Sequence, residues 1–216
     1  DPFALRRASL AVIRILINQQ TSASLQTLLE TAVSQHAAKL EPDTVATVLQ
    51  YTLDRLGSWY DEEGIHVSVL RAVLATEATD LFDIDLRVRA LAQFAQTETA
   101  EQLAAANKRV ANILAKADSL DDEDADASLF TEQAETELHG AVNAVDTAIT
   151  PLLAVREYQA ALDELAKLRD PVDAFFEHVM VNSDNPDEKR NRYRLLSRLR
   201  QRFTQLADLA LLAAAE

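Results

Sequence analysis

The chain has 216 residues, a formal net charge of −14, no cysteine, and only 3 glycines and 5 prolines. The charge argues against attraction of nucleic acid by the surface as a whole, and the missing thiols exclude disulfides, thiolate zinc sites and a cysteine nucleophile. So few turn formers, beside abundant alanine, leucine, glutamate, glutamine and arginine, point to long helices and few hairpins.

Pro2, a good first-turn residue after a capping Asp1, opens a helix over 2–17 with Leu5, Ala8, Val12 and Leu16 at helical spacing. Its apolar run contains Arg14, is short and has no cleavage pattern, so it does not read as a signal peptide; the start without Met reads as a piece of something longer. No apolar run approaches the roughly 20 residues that span a bilayer, so no membrane contact is expected. Ser24 caps a helix over 24–40, and Pro42 begins another over 41–60 that weakens near Gly57. "DEEG" (61–64) is a turn before a short helix over 65–76. A helix over 80–96, regular from Asp83, places Leu86, Ala90, Leu91 and Phe94 on one face. Thr97 or Thr99 caps the next, over 98–117, with Gln102 three residues after Thr99 as in a capping box. Residues 118–128 form an acidic break, read as an exposed loop. Helices follow over 131–149, 155–169, 170–181 from Pro171, and 187–213, with a turn at 182–188. No strand alternation and no repeat emerges. The expected fold class is all-α, a multi-helix bundle of eight to ten helices.

A search for catalytic chemistry returns nothing. Three scattered glycines make no phosphate loop, and His36, His66, His139 and His178 have no metal-ligand spacing. "DDEDAD" lacks the glycine and terminal glutamate of a calcium loop, and no serine stands in a nucleophile pattern. Neither a catalytic residue nor a metal site is expected, which disfavours an independent hydrolase.

Anion binding remains. In "AANKRVANIL" (105–114), Leu103, Ala106, Val110, Ile113 and Leu114 form an apolar stripe at about 100° per residue. Asn107 and Arg109 flank its two edges, while Lys108 and Asn112 point away. This is either a plain amphipathic helix with Arg109 lying along the core edge or an edge built to touch something negative. In the last helix Arg190, Arg194 and Arg198 recur four apart, with Asn191 and Tyr193 among them, a pattern that can hold phosphates and stack bases. The alternative is pairing with acidic neighbours: residues 121–137 carry eight acids and no base, and 189–202 seven cations and no acid. Trp59 and Tyr60, and Phe175 and Phe176, read as core aromatics, with a base platform as the alternative.

Four stretches, "DPFALRRASLAVIRIL" (1–16), "AANKRVANILAK" (105–116), "ELAKLRDPVDAFFEHVMV" (164–181) and "RNRYRLLSRLRQRFTQLADLALL" (190–212), occur in the order and spacing of one family. The chain resembles the C-terminal part of the bacterial glycyl-tRNA synthetase beta subunit. The resemblance implies an all-helical anticodon-binding domain of the type shared with arginyl-tRNA synthetase, over 77–216, after a helical region, 1–76, that joins the upstream beta-subunit core near Arg6 and Arg7. "DIDLRVRALAQF" (83–94) looks like that domain's Asp-x-x-Arg helix, through Asp85, Arg87, Arg89 and Phe94. The turn at 182–188 departs from the family pattern at Asn182 and Pro186. The implied function is recognition of the anticodon arm of glycine tRNA within a cytoplasmic alpha-two beta-two glycine–tRNA ligase. ATP and magnesium would act at the alpha subunit, with no cofactor here. The expected tRNA-binding residues are Arg87, Arg89, Asn107, Lys108, Arg109, Arg190 and Arg194. The alternative function is a structural bundle docking the alpha subunit or the rest of beta.

Overall fold

The computed structural model describes residues 2–117, 121 and 123–213, and among these there are ten α-helices and no strand. They are α1 (Leu5–Asn18), α2 (Leu25–Ser34), α3 (Thr44–Glu62), α4 (Val67–Leu74), α5 (Leu81–Phe94), α6 (Glu98–Leu114), α7 (Gln133–Ala154), α8 (Tyr158–Ala166), α9 (Arg169–His178) and α10 (Pro186–Thr204). No helix among the described residues is long and apolar enough to cross a membrane.

Several boundaries move from their expected places for identifiable reasons. α1 begins at Leu5, because Phe3 and Ala4 adopt φ of 60° and 58°, outside the right-handed helical region; the expected cap Asp1 lies outside the described residues. Ser24 does cap α2, accepting the Thr27 N–H at 3.2 Å. The helix then stops at Ser34, where the His36 ring accepts the Ala38 N–H and offers the backbone a local alternative. α3 passes through Gly57 without a break, since Leu56 and Tyr60 on either side are fully buried and packing overrides the glycine's low propensity. Thr97, not Thr99, caps α6, accepting the Ala100 N–H. α7 continues through Pro151 to Ala154, its last turns held by the buried Ile149.

α10 ends at Thr204 rather than near 213. There the Arg87 guanidinium donates to the carbonyls of Gln205 and Leu206 at 2.8 and 3.0 Å, satisfying backbone acceptors that a helix end leaves open. The chain then turns inward and buries Leu206, Ala207 and Leu209.

One hydrophobic cluster runs from Ile13 on α1 to Leu209 after α10. α5 packs against α1, α4 and α8; α7 against α8, α9 and α10; and α6 against α9, α10 and the turn at 209–211. Residues before α4 are also tied by polar bonds to the α4–α5 turn and beyond. The Leu25 N–H donates to the Thr79 carbonyl at 2.8 Å, and the Tyr60 hydroxyl to Asp85 at 3.1 Å. Arg156, in the α7–α8 turn with φ of 61°, reaches Ser22 and Asp80.

Candidate nucleic-acid interface

The orientation of α6 decides what it can present. Ala100, Leu103, Ala104, Val110 and Leu114 are buried. The small residues Ala100 and Ala104 shift the buried arc toward Asn107, which is 1 % exposed rather than at a margin. Its Oδ1 accepts from the Arg200 guanidinium at 3.4 Å, so Asn107 ties α6 to α10 from inside. Lys108 is half-buried, and Arg109, Asn112 and Lys116 lie on the exposed side.

That side faces a groove of about 850 Å³. α6 contributes Lys108, Arg109, Asn112, Ile113 and Lys116; α10 contributes Lys189 and Tyr193; the preceding turn contributes Asn182; and Glu101 supplies a carboxylate. The Arg109 guanidinium carbon lies 4.1 Å from the centroid of the Phe176 ring, and the Lys189 amine 5.6 Å from that of Tyr193. Both cations are held over aromatic faces by the ring quadrupole, which steers them without neutralising their charge. The Tyr193 hydroxyl donates to Asn182 at 2.8 Å, fixing the ring beside the groove. Of the paired aromatics, Phe175 is fully buried and Phe176 stays partly exposed under Arg109.

The groove thus brings Lys108 and Arg109 together with Lys189 and Tyr193, one residue earlier along α10 than Arg190 and Arg194. One residue is about 100° around a helix. Arg190 is exposed and 3.8 Å from Asp187. Arg194 pairs with Asp121 at 2.7 Å and with Glu123. Its hydrogen bond holds the Asp121 carboxyl below the usual range. Arg198 pairs with Asp124 and Asp146, and Arg202 with Asp146. Arg192 is buried against Glu135 at 2.9 Å. Burial alone would raise the Glu135 carboxyl, but Arg192 and the N–H groups of Glu132 and Thr131 hold it below its ordinary value.

Arg87 and Arg89 lie apart from the groove on α5. Arg87 pairs with Asp83 at 2.7 Å and lies over the Tyr158 ring, whose hydroxyl donates to the same aspartate. Burial, then Asp83, pushes the Tyr158 hydroxyl up to about 12. Arg89 bridges Asp85 and Glu63. Tyr60, donating to Asp85, is a core residue whose hydroxyl is pushed well above its ordinary value, first by burial and then by Asp85. Trp59 is half-buried with Arg14 over its ring.

Lys116, Lys189, Asn112 and Asn182 line the groove but were not among the expected tRNA-binding residues. A usable signal existed: Lys108, Asn112 and Lys116 recur four apart, as do Lys189 and Tyr193. Among the described residues, no group of three or more histidines or acids is placed to hold a metal ion.

The described residues thus form an all-helical body with a cationic, aromatic-lined groove between α6 and α10. Residues 103–215 match the family model described as the DALR anticodon binding domain, and the chain belongs to that family. Residues 1–75 match a second model, described as the glycyl-tRNA synthetase beta subunit. Among curated proteins, the glycine–tRNA ligase beta subunit of Ectopseudomonas mendocina is 46% identical over 213 residues, 98% of this chain and 31% of that relative. Those of Pasteurella multocida and Vibrio parahaemolyticus are 45% and 46% identical over the same shares. The chain spans about a third of the length of these relatives.

Proposed function

We propose that this chain is the tRNA-reading, C-terminal part of the beta subunit of a cytoplasmic glycyl-tRNA synthetase, and that the α6–α10 groove takes the anticodon arm of glycine tRNA. The observation that carries this reading is the gathering of Lys108, Arg109, Lys116 and Lys189 around one hollow in a chain of net charge −14. Unpaired anticodon bases are read by stacking and by hydrogen bonds to their edges, while cations position the phosphates. In this reading Lys108, Lys116 and Lys189 hold phosphates, and Arg109 over Phe176 presents a flat face to a base. Asn112 and Asn182 offer edge donors and acceptors. Arg190 extends the cationic edge along α10. Asn107, Arg87 and Arg89 act behind the surface by fixing α6, α5 and the end of α10.

Residues 77–216 form the tRNA-reading domain in this account, and 1–76 the join to the rest of beta. Glycine activation with ATP and magnesium belongs to the alpha subunit of an alpha-two beta-two assembly, and this chain supplies no reacting group. The test is fluorescence anisotropy of a labelled glycine tRNA anticodon stem-loop with the Lys108→Ala/Lys189→Ala variant. Affinity is expected to fall about tenfold or more, and the salt dependence to lose about 1.4 in log–log slope at about 0.7 per single-strand phosphate contact. Unchanged affinity and slope with an intact circular dichroism spectrum would remove the groove from the interface.

A second reading is favoured by one feature. Leu5, Val12 and Ile15 share a side of α1 and are 54%, 38% and 59% exposed. That side suits docking of the first region against the rest of beta or the alpha subunit. Ile15→Lys should weaken co-purification with those subunits while leaving stem-loop binding intact; full assembly of the variant would retire this contact.

A further inference from the structure

Among the described residues between α6 and α7, Asp121, Glu123, Asp124 and Asp126 contact α10. Asp121 and Glu123 hold Arg194, and Asp124 holds Arg198 at 3.3 Å beside that arginine's second partner, Asp146 of α7. The end of the segment is pinned by one side chain: Asn191 accepts the Asp126 N–H at 2.7 Å and donates to the Asp126 carbonyl at 2.9 Å. Beyond that clamp the contacts are ion pairs, and the side chains of Glu123 and Asp124 are 71% and 76% exposed. Arg194 itself is largely covered and grips both Asp121 oxygens, so that pair is the firmer one, while the pairs through the exposed Glu123 and Asp124 carboxylates weaken in salt.

The surface under the segment is continuous with the cationic groove. Asn112 lines both the groove and a neighbouring hollow of about 610 Å³ bordered by Ser197, Arg200, Gln201 and Thr204. Ser197 and Gln201 also border the small space enclosed by Asp121, Glu123, Asp124, Arg194 and Arg198. Around α10 the order from groove to segment is Lys189 and Tyr193, then Ser197 and Arg190, then Gln201 and Arg194, then Arg198, at about 100° per residue. A polyanionic strand leaving the groove across Ser197 therefore meets Arg194 and Arg198 with carboxylates already seated on them.

We propose that Asp121, Glu123 and Asp124 belong to a displaceable acidic strap, hinged where Asn191 clamps Asp126, whose carboxylates stand in for phosphates on Arg194 and Arg198 until an RNA strand extending from the groove replaces them. The proposal rests on the groove taking RNA. The strap makes extended binding conditional: short or weakly anionic ligands occupy only the groove, while a longer strand exchanges carboxylate for phosphate on α10. It also accounts for a basic helix face persisting in an acidic chain without attracting anions indiscriminately, because its charge is masked at rest.

The test neutralises the strap in the intact chain with Asp121→Asn/Glu123→Gln/Asp124→Asn. A matched control, Glu30→Gln/Glu41→Gln/Glu62→Gln, removes the same number of charges on and beside α2 and α3. The probe is a fluorescein-labelled single-stranded RNA titrated at several salt concentrations. The strap variant is expected to bind roughly tenfold tighter, the control less than twofold, and adding Arg194→Ala/Arg198→Ala to the strap variant should abolish the gain. Equal gains in strap variant and control, or a gain that survives loss of the two arginines, would overturn the strap. Failure of the groove reading registers separately, in the Lys108→Ala/Lys189→Ala variant. If that variant binds normally while strap neutralisation still adds arginine-dependent affinity, α10 is the anion site and the groove is not.

Discussion

The cations of α5 and those of the α6–α10 groove look alike in the sequence and differ in what surrounds them. Arg87 and Arg89 follow Asp83 and Asp85 by four residues, and each guanidinium is shared between its own helix and another element. The groove gathers Lys108, Arg109, Lys116 and Lys189 with one lining carboxylate, Glu101, and two of the cations rest on aromatic rings. On α5 the neighbouring acids make struts of the cations, while in the groove aromatic rings lie under two of them. Net charge and local charge density carry neither outcome alone.

The most severe way to probe the strut side is through the buried pair on α10. Glu135→Gln leaves Arg192 charged and buried without its counter-ion, and is expected to cost roughly 3–5 kcal/mol in chemical denaturation. The folded fraction should bind RNA as before. The same pair gives a pH signature. The folded Glu135 carboxyl titrates below its unfolded value of about 4.3, so its contribution is complete above that pH and fades as pH falls through the folded value. The wild type should therefore lose stability on acidification more steeply than Glu135→Gln; parallel acid limbs would show that the pair is not coupled to protonation.

Arg87→Ala comes next, at about 1.5–3 kcal/mol for charged hydrogen bonds to Asp83 and to the carbonyls closing α10. Loss of stem-loop affinity in a variant with unchanged melting temperature would move Arg87 from strut to interface. The smallest expected effect lies in the groove. Phe176→Leu removes the ring beneath Arg109 and should weaken RNA binding by about 0.5–1 kcal/mol, two- to fivefold in Kd, with little change in stability. An effect on melting larger than on binding would make Phe176 a core residue first.

Helix type and order were legible because apolar spacing and caps agree locally: Ser24, Thr97 and Asn185 all cap the helices that follow them. Helix ends were less legible. The end of α10 depends on Arg87, 118 residues before Gln205 along the chain, and no local signal carries such a contact. The position of α2's end depended on a histidine turning back on the backbone, which composition does not reveal. In the site, Lys108 and Arg109 could be found as a cationic edge because few acids flank them. Arg190 and Arg194, expected from their spacing, stand one residue on from Lys189 and Tyr193, which line the groove. Arginine spacing marks a charged face without saying which partner that face meets. The acidic residues 121–137 were the missing term, and their pairing with the basic stripe was one of two outcomes the sequence left open.

Arg156 has a consequence for how the molecule holds together. A side chain in the left-handed region costs on the order of 1 kcal/mol, and a glycine would relieve it. Here the residue reaches from the α7–α8 turn to Ser22, before α2, and to Asp80, the cap of α5. One guanidinium thus staples the stretch that matches the beta-subunit model to the stretch that matches the anticodon-binding model. The two are expected to melt as a single unit, so that a twist imposed on the first 75 residues would be felt at the α6–α10 groove as a rigid lever rather than absorbed at a joint.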